Sequence, residues 1–90
     1  MLKLYVQPIN KLIKLLIKNN LSNKVEVIRR IHDGLQVKFI DGSDVVIHWF
    51  SYGHEKGLLE SYKMPQDCGD VTGYLTPEKV VERLKINFKQ

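Results

Sequence analysis

The stretch from Pro8 to Leu21 constrains this chain more than any other. Ile9, Leu12, Ile13, Leu16 and Ile17 recur at helical spacing and Leu21 completes the stripe, while Lys11, Lys14 and Lys18 fall together on the other side. A helix of this length gains little stability from its own hydrogen bonds, so its apolar side must press on a second layer. Pro8 suits the first helical turn, where its missing N–H has no partner to lose. Asn19, Asn20, Ser22 and Asn23 supply the stop. The spacing therefore predicts a helix over residues 8–20. A basic amphipathic helix can also lie on a membrane surface. Here a sheet in need of cover follows directly, so the stripe is assigned to that sheet and the lysines to water. Before it, Leu2, Leu4 and Val6 alternate with Lys3, Tyr5 and Gln7, which is strand periodicity and offers a fifth strand at residues 2–6.

The middle of the chain reads as an antiparallel meander. Val25, Val27 and Ile31 share a parity, and so do Leu35, Val37 and Phe39. A three-residue loop, His32-Asp33-Gly34, would pair Ile31 with Leu35 and Val27 with Phe39, turning both apolar sets toward one core. A two-residue turn would instead put Arg30 and Glu26 on the core side. Register therefore favours the longer loop, with Gly34 in its left-handed position and Arg29 as the remaining misfit. Asp41-Gly42-Ser43 makes the next turn. Val45, Ile47 and Trp49 then alternate with Val46, His48 and Phe50, a strand apolar on both faces, as expected when both are covered. Its aromatic residues are assigned to the core. Ser51 to Gly57 is a glycine-bounded loop, Leu58 to Tyr62 a fourth strand, and Lys63 to Gly73 an irregular segment.

The clearest boundary is the last. Thr76 can cap a helix, Pro77 takes its first position and Glu78 meets the positive end of its dipole. Leu75 and Val80 are spaced for a hydrophobic staple, and Val80, Val81, Leu84 and Phe88 give the core-facing stripe of a helix over residues 77–88. The fold expected is α+β: one antiparallel sheet of about four strands in a meander, packed by an N-terminal and a C-terminal helix, as a single domain over residues 1–90.

Totals add exclusions. No apolar run approaches the roughly 20 residues of a membrane span, because lysines interrupt residues 1–21. The same lysines, followed by Asn19-Asn20, do not form an export signal. A lone Cys68 cannot make an internal disulfide, which points to the cytoplasm. The net charge of +4 lies wholly in the first half, where residues 1–45 hold eight basic and four acidic side chains. Such asymmetry admits a nucleic-acid surface built from Lys11, Lys14, Lys18, Arg29 and Arg30.

No catalytic constellation emerges. His32, His48, His54 and Cys68 follow no compact zinc spacing, so no metal is expected. Cys68 lacks a local base, and Asp67 and Asp70 would repel a thiolate. His54-Glu55 could serve acid–base chemistry, but position 58 is Leu, not the second His of a metalloprotease motif. Gly53 and Gly57 make no phosphate loop, and no cofactor is expected. Tyr52, His54, Glu55 and Lys56, on the loop, are the candidate residues for recognition of a protein partner.

Ser51-Tyr52-Gly53-His54-Glu55-Lys56-Gly57-Leu58-Leu59-Glu60 and Asp70-Val71-Thr72-Gly73-Tyr74-Leu75-Thr76-Pro77-Glu78-Lys79-Val80 resemble segments of short, uncharacterised proteins of temperate phages and prophages of Gram-positive bacteria. The resemblance covers residues 45–84 and implies a small intracellular accessory protein. The function expected is non-enzymatic binding of a protein through residues 51–57 and 63–74. Nucleic-acid binding through the basic half is the alternative, and an enzyme centred on His54 or Cys68 a third reading.

Overall fold

The structure is a computed structural model and describes residues 2–89. Helix α1 spans Leu2–Lys18, so residues 2–6 are helical rather than a strand, and Pro8 lies inside the helix rather than at its start. The cause is Tyr5. It is 1% exposed, and Tyr5, Ile9, Leu12 and Leu16 form a buried stripe one turn longer than the aliphatic residues alone suggest. Pro8 removes one backbone hydrogen bond, a loss offset by the burial of Tyr5 and Ile9 on either side of it. The end is as the asparagines foretell. Asn20 takes a left-handed φ of 58°, and the Leu21 N–H reaches the Leu16 carbonyl at 2.8 Å.

Five antiparallel strands follow: β1 (Val25–Ile31), β2 (Gly34–Phe39), β3 (Asp44–Ile47), β4 (Leu59–Tyr62) and β5 (Val71–Leu75). They lie side by side in sequence order, a meander. The fifth strand therefore comes from the segment expected to be irregular. Ile31 pairs with Gly34 and Ile28 with Val37, so the first hairpin turns on His32 and Asp33 alone. Both have positive φ, 45° and 58°, as a two-residue turn of this hand requires. The three-residue loop is not formed, because β1 is an edge strand whose residues are largely exposed and whose apolar pattern does not set register. Gly34 is needed inside β2 instead, since a Cβ there would run into the Ile47 carbonyl and the His48 backbone. A bulge at Glu26 returns Val25 to a position opposite Phe39.

Helix α2 (Pro77–Asn87) packs beside α1 on one face of the sheet. Thr76 accepts the Lys79 N–H at 3.1 Å, and Leu75 and Val80 are both buried. Between the helices and the sheet lie Tyr5, Leu12, Leu16, Val37, Phe39, Val45, Ile47, Leu59, Val80 and Leu84. The second face has no helix on it. Arg29, Gln36, Val46 and Glu60 are in register across it, which resolves the misfit at Arg29. Among the described residues no helix is long and apolar enough to cross a membrane.

Candidate functional site

The loop between β3 and β4 is short of regular structure but firmly held. Ser51 Oγ accepts the His48 N–H and donates to the His48 carbonyl, each at 3.0 Å, which bends the chain back just after β3. Gly53 and Gly57, at φ of 97° and 69°, bracket one helical turn over His54–Lys56, and the Leu58 N–H closes it on the Gly53 carbonyl. Two neighbours fix the loop from one side: the Tyr74 N–H donates to the Tyr52 carbonyl and the Tyr52 N–H to Glu60 Oε2. From the other side, the Tyr5 hydroxyl lies 2.9 Å from His54 Nδ1.

That last bond spans the floor of an open groove of about 720 Å³. One wall is the first half of α1, with Leu4, Pro8 and Lys11. The others are His54, Glu55 and Lys56 of the loop and Pro77 and Glu78 at the start of α2. Lys11 Nζ and Glu78 Oε2 meet at 2.8 Å on its rim, and the hydrogen bond from Lys11 holds the Glu78 carboxyl below its ordinary range. His54 Nε2 lies 3.5 Å from Glu55 Oε2. The arrangement offers apolar walls, a polar floor and charges of both signs at the edge, which suits a peptide or a side chain projecting from a partner. No Ser or Cys lines it, and the Thr76 hydroxyl is engaged by the helix it caps.

Three of the four residues singled out in the sequence, His54, Glu55 and Lys56, therefore share one groove. Tyr52 does not line it. It is 59% exposed beside Tyr74, which is 55% exposed, and Gly73 leaves room for its Cβ. Cys68 is exposed, follows the turn at Pro65–Asp67 and lines neither this groove nor the smaller one between the helices. Residues 63–74, expected to form part of a contact surface, hold a buried clamp beside exposed positions. Met64 and Asp67 are buried, and the Asp67 carboxylate accepts hydrogen bonds from Ser61, Thr72, Arg83 and the Met64 N–H. The five basic residues of the nucleic-acid alternative do not share one face. Lys11 is paired with Glu78, Lys14 and Lys18 lie on the exposed side of α1, and strand alternation sends Arg29 and Arg30 to opposite faces of the sheet.

The sequence places Trp49 and Phe50 in the core, but they are 56% and 50% exposed. The apolar alternation of β3 continues past the point where Ser51 turns the chain, so the pattern overstates the strand. Phe50 packs against His32 and His48, with ring centroids at 4.8 and 4.2 Å, and against Trp49 at 4.9 Å. His32 and His48 thus meet, while His54 faces Tyr5. Among the described residues no three His, Cys, Asp or Glu side chains are grouped to hold a metal. Comparison with known protein families, with curated proteins and with solved structures finds no match to this chain.

Proposed function

We propose that this chain is a small cytoplasmic, non-enzymatic binding module that engages a protein partner through the loop at residues 51–57, with Tyr74 and the exposed parts of 63–74 beside it. The observation that carries this reading is the groove in which His54, Glu55 and Lys56 face α1. Its walls are positioned by backbone bonds and by the buried Tyr5, so little order has to be gained on binding. Tyr52 and Tyr74 next to it supply exposed aromatic surface of the kind that dominates the energetics of protein contacts. An exposed free thiol at Cys68 suits a reducing compartment. The resemblance of residues 45–84 to phage and prophage proteins suits an accessory role of this kind.

Catalysis is the weaker reading. Both His54 nitrogens already face partners, the Tyr5 hydroxyl and the Glu55 carboxylate. The test is affinity capture from host extract with the wild type, a Tyr52→Ala/Glu55→Ala double variant and a Glu82→Ala control, each with and without nuclease. A protein retained by wild type and control, lost with the double variant and indifferent to nuclease supports the proposal. An identical profile for all three, or one that nuclease abolishes, rejects it.

A further inference from the structure

We infer that the corner where the β1–β2 turn meets the end of β3 is a pH-operated device, in which protonation of His48 loosens Trp49 and Phe50 from their packed positions on the turn. The inference concerns the free protein and stands apart from the partner reading.

His48 is 5% exposed, and its ring is covered by Phe50 and by His32 at a centroid distance of 5.2 Å. The Phe50 N–H points at His48 Nδ1, 3.4 Å away. Nδ1 can accept that hydrogen only while it carries none of its own, so the neutral ring is the form that holds the Phe50 amide. An added proton turns the acceptor into a second donor facing the Phe50 N–H, and it places a charge where little water reaches. The Phe50 ring gives an imidazolium some compensation, but less than the solvation withheld.

The charged neighbours do not favour the proton either. His32 approaches from the β1–β2 turn, with Asp33 beside it, and His54 acts from the loop; Gly34 of β2 contributes only backbone. Burial first, and then the charges of His32 and His54, hold the ring's proton affinity below its ordinary value of 6.5.

The sign follows. Above 6.5 the ring is neutral in both the closed turn and the released chain, and the turn keeps its full stability. As the pH falls below 6.5 the released chain takes up a proton that the packed ring resists, and stability drains from the turn until the packed ring's own lower value is passed. The surface around Trp49 and Phe50 is therefore ordered at neutral pH and loosened by mild acid.

Trp49 is the sole tryptophan and sits in the moving part. The test follows Trp49 emission, far-UV circular dichroism and the protection factor of the Phe50 amide from about pH 8 to about pH 5. One transition below the ordinary histidine value is expected, with Phe50 protection falling about tenfold while the far-UV spectrum stays constant. His48→Asn, whose carbonyl can still accept the Phe50 N–H, removes the transition. His32→Asn, at an exposed turn position that tolerates Asn, keeps it and moves the midpoint up. The inference is overturned by a wild type without a transition in this range, by a transition that survives in His48→Asn, or by an unmoved midpoint in His32→Asn.

Discussion

Asp67 has no exposed side-chain surface, yet it is held as a charge. Burial alone would raise its carboxyl, but hydrogen bonds from Thr72, Ser61, Arg83 and the Met64 N–H outweigh burial and hold it below its ordinary value of 3.8. Its ionised form thus stabilises the fold above pH 3.8, and that contribution is lost as the pH falls through the lower folded-state value. Replacing Arg83 by Met leaves the carboxylate buried with one charged partner fewer, and urea unfolding at neutral pH should show a loss of about 3 kcal/mol. With Asp67→Asn the acid end of the stability profile should flatten. An Arg83→Met variant as stable as wild type would mean the network contributes nothing. None of this is legible in the sequence, where Asp67 sits in a run of Pro, Gly and Asp that reads as irregular and Arg83 is a helix residue sixteen positions on.

At the scale of elements, local chemistry was a good guide where a boundary depends on adjacent residues. Thr76-Pro77-Glu78 marks the start of α2 correctly because the cap, the proline and the dipole all act within one turn. Thr76→Ala should cost about 1 kcal/mol in thermal or urea unfolding, and no measurable cost would show that the cap is idle. Boundaries set by distant contacts were not legible. Residues 2–6 alternate like a strand, but Tyr5 is drawn into the core and to His54 across forty-nine positions, and the turn around it becomes helix. The first hairpin was misread for a related reason. The apolar pattern of β1 favours the three-residue loop, but an exposed edge strand does not set register by burial. The packing of Gly34 against Ile47 and His48 decides instead.

For the whole molecule, the consequence of α1 reaching Leu2 is the groove. Its loop side was legible, because a glycine-bounded segment carrying His, Glu and Lys stands out as surface. Its helix side, from Leu4 to Lys11, was hidden by the strand reading of residues 2–6. Both helices pack their buried residues on the same face of the sheet, and the β3–β4 loop and the rim around it stay outside that core. Hydrogen exchange with mass spectrometry tests that claim most directly. Amides of Ile9–Leu16 should be protected as strongly as those of β2 and β3. Rapid exchange of Ile9–Leu16 while the sheet stays protected would show α1 detached from the core and would contradict the account.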